Sequence, residues 1–290
     1  MRPDREIVIG LDSSTTATKA IAWRPDGSLA GEGRSPIPLS SPAPDRYEQD
    51  PEDWWRSACE ALRELLQWVD PDAVAAIAIS NQRETFAPLA EDGRCVRPAI
   101  VWLDQRCGEE VAWLTGRIGG ERFHRLTGKP PDIAPVAFRI AWMLRHEPEL
   151  FRRTAMFADV HAYLAWRLTG GFRSSWASAD PLGLFDMERK AWSREVLGAL
   201  DLSEERRWSG ASTRTTTGSD APSARWAVAA ATATTSRRAC VPARFCSTGL
   251  PARCAGKVLS VFQIFSNSRL KRQPCPPAAT TSSRSPTGAP

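Results

Sequence analysis

The sequence predicts a layered α/β domain over residues 1–208 followed by a segment, residues 209–290, that builds no core. Three observations carry this. Two β-rich runs at 6–11 and 17–23 flank a polar turn, a continuous apolar run at 73–80 follows an amphipathic helix, and the charge balance changes sign near Trp208. Alternation of strands with helices of this kind is how a sheet buries its faces against flanking helices.

Glu6 to Leu11 reads as a strand, Asp12 to Thr16 as a tight turn, Ala17 to Trp23 as a second strand, and Pro25-Asp26-Gly27 as a hairpin turn into a third. Asp50-Pro51-Glu52-Asp53 then starts a helix. Asp50 is suited to cap it, Pro51 fits the first helical position, and two acids meet the positive end of the dipole. Trp54, Ala58, Leu62, Leu65 and Val69 recur at helical spacing and pack on the sheet. Ala73 to Ser80, rich in Ile and Ala, reads as a strand covered on both faces. Phe86 to Ala90, the turn Glu91-Asp92-Gly93-Arg94 and Ala99 to Trp102 supply another hairpin. Helical patterns follow at 105–117, 136–146, 148–154 and 161–168, with Asp159 placed to cap the last; Asp201 to Glu205 resembles one more helix start.

Residues 1–208 hold 27 basic and 32 acidic residues, a net of −5, whereas 209–290 hold 11 basic residues and the single acid Asp220, a net of +10. The later segment is rich in Ser, Thr, Ala, Pro and Arg, and only Val258 to Phe265 is apolar, so it lacks the means to bury a core. Translation of a GC-rich gene in a shifted frame would produce this composition; a disordered basic tail is the plainer reading. A nucleic-acid-binding tail ranks last, because its cations are scattered and its aromatics are not interleaved with them. The apolar runs are far shorter than the ~20 residues that cross a bilayer. The N-terminus is too short and too acidic for a secretory signal, so neither membrane nor nucleic acid is expected as partner and the cytoplasm is the default location. Cys59, Cys95 and Cys107 lack metal-binding spacing and are expected as free thiols. His124, His146 and His161 form no metal motif.

Two stretches carry chemistry. Asp12-Ser13-Ser14-Thr15-Thr16 lies between two strands, where backbone N–H groups and hydroxyls wrap phosphate oxygens and a carboxylate holds Mg²⁺. Locally it reads equally as a polar β-turn. Ser80-Asn81-Gln82-Arg83-Glu84-Thr85 leaves the end of the apolar strand, and Trp102 follows in Ala99 to Arg106. An adjacent Arg and Glu donate to and accept from neighbouring hydroxyls while an aromatic covers a C–H face; the bland alternative is an exposed ion pair. P-loop chemistry fails, since Gly128-Lys129 is followed by Pro130 and Phe123 stands where the first glycine is needed.

Together, Gly10 to Thr16 and Asn81 to Thr85 resemble the FGGY family of carbohydrate kinases, from about Ile7 to Trp208. The resemblance implies the N-terminal half of the ribonuclease-H-like ATPase fold shared with actin and Hsp70 chaperones. It implies ATP and Mg²⁺ as cofactors and a small sugar or polyol as substrate, and it is compatible with a homo-oligomer. Asp12, Thr15, Thr16 and Lys19 would meet the phosphates, with Asp12 the metal residue and Ser14 replacing the usual Gly. Asn81 to Thr85 matches the polyol segment of glycerol kinase, which carries the polyol contacts to Arg83, Glu84 and Trp102. The resemblance puts an enclosing aromatic where this chain has Ala134, which implies a pocket enlarged toward a pentose-sized ketose or polyol; Asp104, Arg106 and Asp132 then read either as extra hydroxyl partners or as solvated helix-start and loop charges. Val136 and Arg139 also depart from the family's signature, where Arg139 stands in place of Lys. The family's general base, an Asp in a Gly-rich segment, has no recognisable counterpart here. No catalytic residue is assigned, and this chain is expected to have little or no kinase activity.

Overall fold

The computed structural model describes residues 6–172, 174–202 and 258–260, the last as backbone only. Strands β1 (Ile7–Ser13), β2 (Ala17–Trp23) and β3 (Leu29–Pro36) form an antiparallel meander. Asp12 and Ser13, expected in the turn, belong to β1 because they pair with Lys19 and Thr18. The ladder thus shortens the turn to 14–16, which closes where the Ser14 amide donates to the Ala17 carbonyl at 3.0 Å. A short hairpin follows, β4 (Ser40–Ala43) and β5 (Arg46–Gln49), which the sequence pattern does not announce.

Helix α1 (Pro51–Leu65) begins as expected, with the Glu52 amide donating to Asp50 Oδ1 at 2.9 Å. Its buried Trp54, Ala58, Leu62 and Leu65 face the meander. The approach is close at Gly33 on β3, where a Cβ would stand 2.2 Å from the Ala61 carbonyl oxygen. Val69 lies beyond the helix but is buried in the same core.

The predicted apolar strand is β6 (Val74–Asn81), parallel to β1, with Leu11 opposite Ile79 and Asp12 opposite Ser80. β7 (Phe86–Leu89) and β8 (Ala99–Ile100) pair antiparallel as expected. Helices α2 (Gly108–Ile118), α3 (Gly120–Thr127), α4 (Val136–His146) and α5 (Pro148–Arg153) then lead to β9 (Met156–Asp159) and α6 (Val160–Thr169). Asp159 caps α6 by accepting from the Ala162 amide at 2.8 Å. Helix α3 went unread because Gly119-Gly120 look like breakers; Gly119 instead adopts φ 86° between two helices. The one-turn α7 (Trp176–Ala179), the hairpin β10 (Phe185–Asp186) and β11 (Ala191–Trp192), and α8 (Arg194–Ala199) complete this part. The helix start read at Asp201 is a turn with φ 53° at that residue, and Ser203 to Glu205 lie outside the described residues.

Within the apolar stretch at 258–265, β12 (Val258–Ser260) adds parallel to the outer edge of β6. The main sheet therefore runs β12-β6-β1-β2-β3, and a second five-stranded sheet runs β4-β5-β8-β7-β9. Ile9, Leu11, Leu62, Ile77 and Leu164 belong to one core between the main sheet, α1 and α6. Phe86, Phe123, Phe138, Met143 and Val196 belong to a second core under the later helices. Cys59 lies in the first, Cys107 in the second and Cys95 at the edge of the first, all as free thiols. Desolvation raises all three, to about 11, about 11 and about 12 respectively. Among the described residues no helix is long and apolar enough to cross a membrane, and no group of three or more His, Cys, Asp or Glu could hold a metal.

Candidate active site: two loops at one sheet edge

Because β1 and β6 run parallel, both end at the same edge of the sheet, with Ser13 opposite Asn81. The Ser14–Thr16 turn and the Gln82–Thr85 loop therefore emerge side by side, at strand C-terminal ends, where open α/β sheets bind ligands. Two bonds stitch them together: the Ser80 hydroxyl donates to Asp12 Oδ1 at 2.7 Å, and the Gln82 amide to the Ser13 carbonyl at 2.9 Å.

On the first loop, Asp12 is exposed and accepts a second hydroxyl bond from Ser14 at 2.6 Å. Thr16 is exposed and Thr15 half-buried. Lys19 stands opposite Asp12 on β2, hence on the same face, and pairs loosely with Glu32 at 3.5 Å. An exposed carboxylate with hydroxyl donors and, among the described residues, no cation paired to it fits a magnesium ion, which takes one or two carboxylates and fills its shell with water and phosphate.

On the second loop, Arg83 is half-exposed and donates to Asp180 Oδ1 at 2.5 Å, while Lys129 donates to Asp180 Oδ2 at 3.0 Å. Asp180, which the sequence pattern does not flag, thus gathers both cations. Glu84 has φ 50°, in the left-handed region that costs a non-glycine residue about 1 kcal/mol. Desolvation, partly offset by Arg83, raises its carboxyl above the ordinary 4.5. Trp102 remains 47% exposed, offering a face to the site.

Arg139 holds the predicted substrate segments together. Its fully buried guanidinium donates to the carbonyls of Glu84 at 2.7 Å, Ala134 at 2.5 Å and Val101 at 3.1 Å. The backbone at Glu84, Val101 and Ala134 is thereby gathered at one point, which joins the loops that carry Arg83–Glu84, Trp102 and Asp132. Asp132 is exposed and its carboxylate accepts from the Ile133 amide.

Asp104 and Arg106 are placed differently from the expectation of extra hydroxyl partners. Their side chains are 0% and 2% exposed. Asp104 accepts from the Tyr47 amide and from Arg106, and Arg106 also donates to Glu48 at 2.8 Å. Buried charges need partners, and these two have found each other; they anchor the Trp102 loop rather than face solvent. A surface hollow of about 360 Å³ lined by Leu29, Gly31, Glu64 and Trp68 contains none of the site residues.

The family model for the N-terminal domain of the FGGY carbohydrate kinases matches residues 7–211. The xylulose kinase of Escherichia coli K12 is 32% identical over 197 residues, covering 68% of this chain and 40% of the relative. The glycerol kinase of Thermococcus kodakarensis is 31% identical over 205 residues, covering 69% and 41%. A crystal structure of xylulose kinase from Rhodospirillum rubrum aligns with a TM-score of 0.66 at 30% identity, covering 69% of this chain and 41% of that one. Plasmodium falciparum glycerol kinase with ADP, at 22% identity and a TM-score of 0.63, shares the fold. The chain thus spans about 40% of the length of the curated relatives it matches. The ribonuclease-H-like α/β class expected from the motifs is the one these structures share, and the chain belongs to the FGGY family of carbohydrate kinases.

Proposed function

We propose that residues 1–208 are the sugar-binding half of an ATP-dependent kinase for a polyol or ketose of about pentose size, acting in the cytoplasm, with 209–290 a separate basic tail. The observation that carries this is the emergence of the Ser14–Thr16 turn and the Gln82–Thr85 loop from one sheet edge, joined through Ser80 and Asp12. Donor phosphate and acceptor hydroxyl must meet in line for phosphoryl transfer, so adjacent subsites are a requirement of the chemistry.

In this reading Arg83 donates to, and Glu84 accepts from, neighbouring hydroxyls, Trp102 lies against the C–H face, and Asp132 reaches the far hydroxyls. Ala134 leaves room for the longer substrate. Asp104 and Arg106 drop from the set, since their polar atoms are engaged inside the protein. The Asp12 carboxylate would hold Mg²⁺, Thr15 and Thr16 would donate to phosphate oxygens, and Lys19 would supply positive charge beside them. The bound metal neutralises charge on the transferring group.

A second reading is a non-catalytic sugar-binding domain or an unstable kinase remnant, in which the Arg83–Glu84 loop holds a polyol and no group among the described residues is assigned to take the hydroxyl proton. Calorimetric titration with glycerol, erythritol, xylitol, xylulose and ribulose, beside a coupled ADP-release assay, tests both. Sugar binding lost in Arg83→Ala, without sugar-dependent ADP release, is the expected result. Turnover would show that this chain completes the catalytic site; no binding of any of the five would sink the sugar-site reading.

A further inference from the structure

Beneath the two loops runs a closed ring of hydrogen bonds through five residues. Gln49, 2% exposed at the end of β5, donates through Nε2 to the Thr15 carbonyl at 2.7 Å and to the Pro38 carbonyl at 3.1 Å. Its Oε1 accepts from Trp54 Nε1 at 2.9 Å and from Gln82 Nε2 at 2.8 Å. The amide's orientation is chemically forced: carbonyls only accept and an indole only donates, so Nε2 must face Thr15 and Oε1 must face Trp54. That polarity passes to Gln82, 8% exposed, whose Oε1 is left to accept from the Thr85 hydroxyl at 3.3 Å, a proton shared with the Arg83 carbonyl at the same distance. Thr85 Oγ1 in turn accepts the Trp102 amide at 3.1 Å, and the Trp102 indole donates to Thr15 Oγ1 at 2.9 Å, closing the ring.

We propose that this ring couples the two subsites, with Gln49 and Gln82 as positioning residues and Thr15 as the point where the state of the phosphate turn reaches the sugar-facing Trp102. The proposal rests on the sugar-site reading above. Thr15 Oγ1 has two calls on it: it accepts the Trp102 indole in this structure, and it is the hydroxyl that would donate to a phosphate oxygen. A hydroxyl that turns its proton to phosphate keeps a lone pair for the indole, so phosphate binding would polarise the Thr15–Trp102 bond instead of breaking it. Each link in such a chain strengthens its neighbours, and the fixed polarity gives the ring one arrangement rather than two.

The test is sugar titration of the full chain as Thr15→Val, Trp102→Phe and the double variant, with melting temperatures taken in parallel. Thr15 touches no sugar in this reading. Thr15→Val removes the acceptor and keeps the shape, so affinity is expected to fall roughly three- to tenfold, the scale of one hydrogen bond. In the Trp102→Phe background Thr15→Val should then add nothing, because the shared bond is already gone; a purely structural role for Thr15 would multiply instead. Unchanged affinity in Thr15→Val, with Arg83→Ala still abolishing binding, overturns the ring and leaves the sugar site standing. Independent, multiplying effects also overturn it. Should the parent chain bind none of the five sugars, the sugar reading fails and amide hydrogen exchange decides the ring: faster exchange at the Trp102 amide in Thr15→Val upholds it, and unchanged exchange overturns it.

Discussion

Arg139 carries a full charge where almost no water reaches, and its surroundings explain how. Burial lowers its pKa, yet three carbonyl oxygens spread over separate loops solvate the guanidinium in place of water. Each carbonyl stranded without a partner costs about 1–3 kcal/mol. Val101 keeps the Asp104 amide as a second donor at 2.9 Å, so Arg139→Leu strands the carbonyls of Glu84 and Ala134 and should destabilise the chain by at least about 2 kcal/mol, and Arg139→Lys, which still reaches some acceptors, by less; urea denaturation reads both. Glu84 supplies a pH test. Its folded carboxyl sits above the ordinary 4.5, so the folded state binds the proton more tightly than the unfolded chain does. Its contribution is fully present below pH 4.5 and is lost as pH rises through the folded value. Stability relative to Glu84→Gln should accordingly decline as pH is raised from 4 toward neutrality, in urea midpoints taken across about that range; a flat difference would mean that the carboxyl is not desolvated.

The elements that could be read from sequence are those whose cause is local. Helix α1 declares itself through Asp50, Pro51 and an apolar stripe, and α4 and α6 through periodicity and the Asp159 cap. The β4–β5 hairpin could not be read, because Ser-Ser-Pro-Ala and Arg-Tyr-Glu-Gln carry no alternation; pairing with β8 makes the second of them a strand. The same divide runs through the site. Arg83, Glu84 and Trp102 were legible as motif residues, whereas Gln49 draws its meaning from Thr15 and Gln82, 34 and 33 positions away. Asp180 likewise meets Arg83 only across 97 residues of chain. Asp104 and Arg106 were misread for a related reason: a charged pair beside an aromatic looks the same in sequence whether it faces solvent or is folded inward. Packing between elements is testable at Gly33. A side chain there collides with the α1 backbone, so Gly33→Ala should cost about 1–3 kcal/mol by pushing β3 off the helix, measured as a shift in denaturation midpoint with little change in helical content.

At the scale of the whole molecule, the site divides unevenly between the two cores. The Ser14–Thr16 turn stands on the first sheet, and the loops carrying Arg83–Glu84, Trp102 and Asp132 are tied to the second through Arg139 on α4, which bonds the carbonyls of Glu84, Val101 and Ala134. The geometry of the proposed substrate site is therefore the relation between the two packed halves as much as the shape of either loop. The three described cysteines offer a direct view of that relation. Cys59 is sealed in one core and Cys107 in the other, each 2% exposed or less and each raised to about 11. A thiol in that condition does not meet an alkylating reagent until the protein around it opens, since the thiolate is the reacting species. With Cys95 and the four cysteines of 209–290 replaced, the chain holds one built-in timer in each half, and comparing their labelling rates tells whether the halves breathe together or one at a time.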